Sequence, residues 1–363
     1  MKILHLVAND SWGGGEQYAY DLVARLCSEE WCEPIVVCRN TPIVVSNFAS
    51  LNIRVFKLNM NGYFDLRSIL ALSHILKDLN DDCIIHAHDF KRAFIAIMAR
   101  KMFAGVKKIR IVMTRHLVRP AKNGVFEKFV YRNIDSIMFV SQMAMDFFLS
   151  SQPKIDNNKC RVVLSGVKDR KCDSLFLRTK YNIANNEFVI MYHGRIVHEK
   201  GVEVIIKALS CLSNIPFRMV FVGDDTTEYA YKLKKLISEK SLDDKVVWTG
   251  YQKQIEQWIG GCNLGLLPTI AREAFGLSAV EYMMAGKTVI TTDNGAQKEY
   301  IKNGVTGILV PVNDAAKVSE AIETVYKNGS FVDIGNNARK FYQQNLNFEI
   351  FYKKIVDVYT NNF

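Results

Sequence analysis

The chain has 363 residues, of which 49% are hydrophobic and 23% are charged, a composition typical of globular proteins and a length sufficient for two domains. No run of about 18 apolar residues occurs, and the apolar start at residues 1–8 is shorter than a secretory signal, so we expect a cytoplasmic protein without a membrane-spanning helix. The eight cysteines are scattered and form no C-x-x-C pair, which favours buried, reduced thiols over a disulfide framework or a metal site.

The formal net charge of +10 is concentrated in residues 91–132, which contain twelve basic residues and a single acid, Glu127, and so carry +11. Within this segment, residues 91–103 and 125–131 mix apolar and basic side chains in an amphipathic helical pattern. A basic surface that bears aromatic residues suits an anionic membrane or a phosphorylated acceptor. Two core helices with a solvated basic face, and nucleic-acid binding, are the alternatives.

The first half of the chain alternates strand and helix patterns, which predicts a parallel α/β sheet. The polar, turn-rich residues 165–170 follow a complete set of alternations, so we end a first domain, residues 1–166, there. Seven strands are predicted, at residues 3–8, 35–38, 53–58, 83–86, 109–113, 137–140 and 162–164. Five helices are predicted between them, at residues 16–28, 66–79, 92–103, 126–132 and 143–149.

The second half restarts the alternation and predicts a second α/β domain at residues 171–345. A last helix, residues 347–361, has an apolar stripe but no strand left to accompany in this domain. Six strands are predicted, at residues 188–192, 218–222, 246–248, 264–267, 288–291 and 308–310. Six helices are predicted with them, at residues 202–212, 229–239, 255–260, 277–285, 315–326 and 334–344.

Two glutamates follow the predicted strand 264–267. Glu273 falls in the loop after the strand, and Glu281 falls more than one turn into the helix that starts near Gly276 and Leu277. Free backbone N–H groups at a helix start attract phosphate, and carboxylates accept hydrogen bonds from the hydroxyls of sugars and ribose. The pattern is typical of a site for a sugar diphosphate, although a capping glutamate and a solvated glutamate are the alternative.

Two cations lie in the turn between the predicted strand 188–192 and the helix that follows it. Arg195 offers a planar fork of donors and Lys200 a point charge, and together they suit a diphosphate. A surface charge is the alternative for either one.

The first strand is followed directly by three glycines, residues 13–15, and by Glu16. Glycine lets a backbone approach a ligand closely, and the helix start behind it can hold phosphate. The spacing is not that of the dinucleotide fingerprint, and a tight turn between strand and helix is the alternative.

Histidines end two further strand predictions. His116 follows the strand 109–113, and His88 follows the strand 83–86, two residues after His86. A metal site needs a third ligand, and the sequence specifies none, so no metal is expected. A hydrogen-bonded loop histidine is the alternative for His116, and His88 is predicted to be an acceptor-side or structural residue.

Taken together, these motifs resemble the retaining glycosyltransferases of the glycogen-synthase-like family four, the group 1 glycosyltransferases. Glu273 and Glu281 match the E-x7-E pattern of that family, residues 194–201 its G-R-x-x-x-x-K-G element, residues 13–16 its G-G-x-E loop and residues 114–116 its T-x-H element. Residues 295–299 depart from the usual double glycine, because Ala296 replaces the second one. The resemblance covers roughly residues 1–312.

The resemblance implies the GT-B fold, in which two Rossmann-like domains face each other across a cleft and a C-terminal helix crosses back to the first domain. It also implies a nucleotide diphosphate sugar as the donor, a glycan or lipid-linked acceptor, and neither a metal nor another cofactor. Retaining sugar transfer in the synthesis of cell-envelope polysaccharide, lipopolysaccharide or glycolipid is the implied function. The implied location is the cytoplasm, with peripheral attachment to the inner face of the plasma membrane.

Carried onto matching positions, the resemblance implies that Glu273 and His116 act at the reacting sugar and that Glu281 holds the ribose. Glu16 and His88 are placed on the acceptor side. The donor-binding residues implied are Gly14, Gly15, Arg195, Lys200, Phe275, Gly276, Leu277 and Glu281. A non-catalytic sugar-nucleotide-binding protein, a phosphorylase and a nucleic-acid-binding protein remain the alternatives.

Overall fold

A computed structural model describes residues 1–10, 12–79, 81–102, 108–213 and 215–360. They divide into two compact units. The first unit comprises Met1–Ser165 and the chain from Tyr352 onward, and the second comprises Gly166–Phe351.

The first unit contains a parallel sheet of seven strands in the order β3-β2-β1-β4-β5-β6-β7. The order reverses between β1 and β4, since the chain first adds strands on one side of β1 and then on the other. The strands are β1 (Lys2–Val7), β2 (Glu33–Cys38), β3 (Arg54–Lys57), β4 (Cys83–Ala87), β5 (Ile109–Arg115), β6 (Ser136–Phe139) and β7 (Cys160–Val162). The helices are α1 (Gly14–Leu26), α2 (Pro42–Ala49), α3 (Leu66–Leu79), α4 (Phe90–Met102), α5 (Val125–Asn133) and α6 (Gln142–Leu149).

The second unit repeats this plan with six parallel strands in the order β10-β9-β8-β11-β12-β13. Here the order reverses between β8 and β11. The strands are β8 (Phe188–His193), β9 (Phe217–Val222), β10 (Val246–Trp248), β11 (Leu264–Leu267), β12 (Thr288–Thr292) and β13 (Ile308–Val310). The helices are α7 (Phe176–Lys180), α8 (Val202–Leu209), α9 (Glu228–Glu239), α10 (Ile255–Gly260), α11 (Leu277–Met284), α12 (Ala315–Lys327), α13 (Phe331–Asn345) and α14 (Phe348–Thr360).

The central strands are buried on both faces, as expected for a parallel sheet covered by helices. Ile35, Val36 and Val37 of β2 are consecutive and fully buried, and the six residues of β8 are all buried. Such continuous apolar runs are what the sequence patterns detected, and each predicted strand is found within two residues of its predicted ends.

Two helices were not predicted from the sequence. α2 consists mainly of apolar and β-branched residues, of which only Val44 and Phe48 are buried, so its sequence gives no polar-apolar alternation of helical period. α7 has five residues, which is too short for a periodic pattern.

The last helix contributes to both units. The first domain was expected to include the whole of residues 347–361, but in the structure the chain up to Phe351 belongs to the second unit. The physical reason is a bridge at the start of α14, where Val167 pairs with Asn347 and the Phe348 N–H donates to the Val167 carbonyl over 3.0 Å. From Tyr352 onward the helix packs in the first unit, and the Arg25 guanidinium lies 4.3 Å above the Tyr352 ring.

For residues 91–103 the structure favours the alternative of a core helix with a solvated basic face, since Lys91 and Lys101 are exposed. In α4 the apolar residues Phe94, Ile95 and Ile97 are buried in the core of the first unit, so this helix does not present an apolar stripe to a membrane. Residues 125–131 differ from α4, because the apolar residue Val125 at the start of α5 is 82% exposed. Lys107 and Phe103, which also belong to the basic segment, lie outside the described residues.

Several arginines of the basic segment serve the fold of the first unit. Each donates to a backbone carbonyl, so its charge is only partly available to a ligand. The contacts are Arg92 to Ala8, Arg100 to Ile109, Arg110 to Tyr359 and Arg115 to Arg119. In the described part of the chain, no helix has both the length and the apolar character needed to span a membrane.

Candidate active site

The predicted donor residues of the second domain lie at the carboxyl edge of the second sheet, whereas Gly14 and Gly15 belong to the first unit. The loops after β8 and β11 leave this edge side by side, where the strand order reverses. Ligands of doubly wound sheets bind beyond such a reversal. Arg195 and Lys200 lie in the loop after β8, and Glu273 lies in the loop after β11.

The two loops are locked together by backbone contacts. Gly201 adopts a left-handed conformation with φ of 70°, and a Cβ atom there would lie 1.9 Å from the Pro268 carbonyl oxygen, so only glycine fits. The Ile270 N–H donates to the Glu199 carbonyl over 2.9 Å. The cations and the carboxylate are therefore carried by one rigid pair of loops.

Lys200 and Glu273 form an ion pair within this framework. The lysine Nζ donates to Glu273 Oε2, and the two side chains are 23% and 22% exposed. Arg195 differs, because its side chain is exposed and makes no hydrogen bond or ion pair with the described residues. The structure thus presents one paired cation and one cation that is available to an anion.

The start of α11 is built to leave backbone donors free. Gly276 caps the helix with φ of 89°, a left-handed conformation that favours glycine. The buried Tyr300 hydroxyl donates to the Phe275 carbonyl over 2.5 Å and holds this turn. No acceptor for the N–H groups of Gly276, Leu277 and Ser278 occurs in the described chain. These groups and the helix dipole attract an anion.

Glu281 is held by a histidine that the sequence analysis had not assigned. His193, the last residue of β8, lies with its Nε2 2.7 Å from Glu281 Oε2. The histidine side chain is 7% exposed and the glutamate 21% exposed. The His193 ring also meets the Tyr282 ring edge to face at 4.8 Å. One carboxylate oxygen of Glu281 is therefore fixed by the protein, and Oε1 is left for another donor.

Residues 295–299, in which Ala296 replaces the second glycine of the family pattern, pack against Glu273. The Ala296 N–H donates to the Glu273 carbonyl over 3.0 Å, and the Ala296 side chain is fully buried. A Cβ atom at Gly295 would lie 2.1 Å from Gln297 Oε1 and 2.9 Å from the Glu273 nitrogen. Glycine is thus required at 295 for space, whereas the methyl group of Ala296 is accommodated.

The glycine loop, residues 13–15, has free space around Gly15, and the helix that follows it is capped by Glu16. A Cβ atom at Gly15 would meet no described atom within 4 Å, and Gly14 is exposed. Glu16 is 4% exposed and caps α1, since its Oε2 accepts the Gly13 N–H over 3.0 Å and its Oε1 accepts from Asn9. Glu16 thus stabilises the start of α1, and its predicted acceptor-side role stays a prediction.

His86 is the centre of a hydrogen-bond network in the first unit. Its Nδ1 lies 2.6 Å from the Tyr359 hydroxyl and its Nε2 lies 2.7 Å from the Thr114 hydroxyl. Thr114 Oγ1 in turn lies 3.4 Å from the Tyr18 hydroxyl. The network joins β4, β5 and α1 to the C-terminal helix.

Three further histidines surround His86 at the carboxyl edge of the first sheet. His5 Nδ1 lies 3.2 Å from His88 Nε2, the His86 and His88 rings stack at 4.4 Å, and His116 stacks on His88 at 6.0 Å. Tyr18 closes the group edge to face with His116 at 4.8 Å. The predicted residues His88 and His116 are thus neighbours.

The histidine group also supplies the third candidate metal ligand that the sequence did not reveal. One nitrogen each from His5, His86 and His88 lies within 4.8 Å of the others. Both nitrogens of His86 already have hydroxyl partners, and His5 and His88 are partnered with each other. Hydrogen bonding thus accounts for part of this arrangement, while His5 Nε2 and His88 Nδ1 are buried without a hydrogen-bond partner among the described residues. The absence of a metal requirement stays a prediction.

Burial keeps these rings neutral at pH 7. It lowers the pKa of His5 to about 3 and that of His116 to about 4. The pKa of His86 and of His88 lies well below the ordinary value, because burial penalises the charged form and the neighbouring histidines add repulsion. A neutral ring has one donor and one acceptor nitrogen, and is suited to orient a hydroxyl group.

Comparison with protein families supplies the identity of the chain. The family described as glycosyl transferases group 1 matches residues 173–341, and the one described as glycosyltransferase family 4 matches residues 12–171. The chain belongs to the group 1 glycosyltransferases. The first match contains the donor residues after β8 and β11, and the second contains the glycine loop and, of the histidine group, His86, His88 and His116.

Two relatives illustrate how far the likeness of this group 1 glycosyltransferase extends. D-inositol 3-phosphate glycosyltransferase of Pseudarthrobacter chlorophenolicus is 28% identical over 168 residues, which are 44% of this chain and 40% of that protein. The alignment therefore spans less than half of that relative. Capsular polysaccharide biosynthesis glycosyltransferase CapM of Staphylococcus aureus is 26% identical over 314 residues, which are 82% of this chain and 81% of CapM.

A solved structure extends the comparison to the fold. The crystal structure of Anabaena Alr3699/HepE in complex with UDP and glucose covers 99% of this chain and 100% of its own, with a TM-score of 0.84 and 20% identity. At this identity the likeness establishes the fold alone. The two parallel sheets of this group 1 glycosyltransferase are those of the GT-B fold, which confirms the predicted fold class.

Proposed function

We propose that this group 1 glycosyltransferase transfers a sugar from a nucleotide diphosphate sugar to an acceptor hydroxyl with retention of anomeric configuration. The observation that carries the proposal lies in the second unit, where Arg195, the Lys200–Glu273 pair and the free N–H groups of α11 converge at one sheet edge. Cations beside bare helix donors suit a diphosphate, and the adjacent carboxylate suits a sugar.

Each donor group then has a separate role. The diphosphate lies against Arg195 and the N–H groups of Gly276 and Leu277, and takes over Lys200 from Glu273. Glu273, released from the lysine, accepts hydrogen bonds from sugar hydroxyls. Glu281 accepts the ribose hydroxyls through the oxygen that His193 leaves free. The solved neighbour Alr3699/HepE, which was crystallised with UDP and with UDP-glucose, supports a nucleotide-sugar donor.

In the proposed reaction, the bond between the anomeric carbon and the phosphate oxygen breaks and the acceptor oxygen bonds to the same face of that carbon. The acceptor proton passes to an oxygen of the departing diphosphate. Negative charge develops on that diphosphate, and preorganised cations and N–H groups stabilise such charge in the transition state. We assign no protein nucleophile. No metal is required, since Arg195 and Lys200 supply the positive charge.

The acceptor groups are proposed to lie in the first unit. His88 is proposed to lie on the acceptor side and His116 at the reacting sugar. The two rings are neutral neighbours at the edge of the first sheet, and both suit a sugar hydroxyl. The likeness to CapM supports a role in polysaccharide synthesis, with lipopolysaccharide or glycolipid as related products. A cytoplasmic location belongs to the proposal, because the eight cysteines are free thiols.

A binding and turnover experiment tests the proposal. A panel of nucleotide sugars is screened by thermal shift, and a true donor at about 100 times its dissociation constant should stabilise the protein by roughly 2.7 kcal/mol. That donor is then incubated with candidate glycan acceptors, with and without EDTA. Release of nucleoside diphosphate that continues in EDTA supports the proposal, as does an α-linked product from an α-linked donor. Binding without turnover would instead favour a non-catalytic sugar-nucleotide-binding protein.

A further inference from the structure

Three imidazole rings are brought together on one face of the first sheet. His5 of β1 and His86 of β4 are directly paired in the register of these parallel strands, so their side chains lie on the same face. His88 follows His86 by two residues and returns to that face, where the two rings stack at 4.4 Å. The strand order, which places β4 beside β1, thus creates a site with three nitrogen ligands.

The spacing of these nitrogens suits a single metal ion. His5 Nδ1 lies 3.2 Å from His88 Nε2. A tetrahedral zinc ion with Zn–N bonds of about 2.0–2.1 Å separates two of its nitrogen ligands by about 3.3–3.4 Å. One nitrogen from each of the three rings lies within 4.8 Å of the others. Two ligands are therefore already at a coordination spacing, and an approach of the His86 ring completes the set.

The hydrogen bond between His5 and His88 leaves one nitrogen of each ring unused. His5 Nε2 and His88 Nδ1 are buried and have no hydrogen-bond partner among the described residues. When an ion replaces the proton between the two rings, each ring can carry its own proton on the unused nitrogen. Both ligands thus stay neutral imidazoles, and the ion displaces only the hydrogen bond that joins them.

His86 is the ligand that must change a partner. Its Nδ1 lies 2.6 Å from the Tyr359 hydroxyl and its Nε2 lies 2.7 Å from the Thr114 hydroxyl. The Thr114 hydroxyl has a second neighbour, the Tyr18 hydroxyl at 3.4 Å, which makes His86 Nε2 the nitrogen that is more easily released. Tyr359 would then hold the ring through the other nitrogen, as residues behind metal-binding histidines do.

The chemistry of these ligands selects the class of ion. Burial keeps the rings neutral at pH 7, which is the form that binds metals. Asp89, which follows His88, pairs with Arg92 at 3.2 Å, so the group offers nitrogen rather than oxygen. Imidazole suits zinc, nickel and copper, whereas magnesium and calcium require oxygen ligands. Three histidines with an open fourth position are a ligand set by which proteins hold zinc.

We propose that His5, His86 and His88 bind one divalent transition-metal ion of the zinc class. The inference goes beyond the proposed function, in which no metal takes part in sugar transfer. One consequence does rest on that function. Since His88 is placed on the acceptor side, an ion bound to its ring should inhibit transfer, and EDTA should relieve the inhibition.

Cobalt binding to the full chain, purified without a histidine tag and freed of metal, tests the inference. Tetrahedral Co²⁺ absorbs visible light more strongly than hydrated Co²⁺, so one bound equivalent can be titrated directly. Zn²⁺ should displace it, and Mg²⁺ should not. His5→Gln and His88→Gln each remove a ligand and should weaken binding at least tenfold, because loss of a residue that only orients a ligand already costs about 10–100-fold.

His74→Gln is the matched control, because His74 is exposed on α3 outside this group, and it should bind cobalt like the wild type. Thermal melts in EDTA show which variants are folded, and either ligand variant is decisive without the other. Absence of the tetrahedral spectrum would overturn the inference, as would unchanged affinity in a folded ligand variant or displacement by Mg²⁺. Transfer that zinc leaves unchanged while it occupies the site would contradict the acceptor role of His88 instead, so the two proposals fail separately.

Discussion

The hydrogen bond between His193 and Glu281 offers the most specific test of the donor site. Replacing His193 with Leu removes the donor at 2.7 Å from Glu281 Oε2 while largely keeping the buried volume. A hydrogen bond to a charged group contributes about 1.5–3 kcal/mol, which is a factor of about ten to a hundred in an equilibrium constant. If Glu281 binds ribose, loss of its orientation should weaken nucleoside diphosphate binding by about tenfold, with about a hundredfold as the ceiling.

His193→Gln is the matched variant, because its amide nitrogen can reach the position of the histidine Nε2 and donate to the same oxygen. Titration calorimetry with UDP or the cognate nucleoside diphosphate should find near wild-type affinity for His193→Gln and weakened affinity for His193→Leu. In a Glu281→Gln background, the step from His to Leu should matter little, since contacting residues are energetically coupled. Wild-type affinity in His193→Leu, with its thermal stability retained, would refute the reasoning.

The remaining predictions concern the other site residues and the histidine group. Arg195→Ala should raise the donor KM by about ten- to a hundredfold without lowering the melting temperature, because the arginine has no side-chain partner in the described fold. Lys200→Ala should weaken the donor similarly but also lower the melting temperature, since it strands the Glu273 carboxylate. Glu273→Gln should impair transfer while leaving nucleoside diphosphate affinity intact. The free energy of unfolding should decrease as the pH is lowered from about 6.5. The folded chain keeps His5 and His86 neutral, whereas these residues become protonated in the unfolded chain.

The pH prediction has a defined window and a control. Above about pH 6.5 the histidines are neutral in both the folded and the unfolded chain, so stability does not depend on their protonation. As the pH falls from about 6.5 towards the folded pKa of His5 of about 3, each buried histidine lowers the free energy of unfolding by up to about 1.4 kcal/mol per pH unit. Thermal melts from pH 7 to pH 4.5 measure the slope. His74→Asn, at an exposed position, should leave the slope unchanged, and a flat profile would contradict the assignment of neutral buried rings.

The order of strands and helices was encoded locally and could be predicted from the sequence. Strands buried on both faces are continuous apolar runs, and in the helices between them apolar residues recur every three to four positions. Both patterns can be read from the local sequence without knowing which elements pack against them. The positions of Glu273 and Lys200 beyond the ends of such strands followed from the same patterns. The burial of α4 could not be predicted in this way. A helix with apolar residues on several faces has the same sequence pattern whether it contacts lipid or a second helix.

The partners of the site residues were decided only by the tertiary structure. Lys200 meets Glu273 and His193 meets Glu281 because parallel strands bring their carboxyl ends to one edge, although 73 and 88 residues separate the members of these pairs. His86 meets Tyr359 across 273 residues, which no local pattern can indicate. The sequence by itself determined which strands and loops carry the chemical groups, since that information is local. Which groups face each other, and which are neutralised before a ligand arrives, depends on strand order and packing, and therefore on the folded chain.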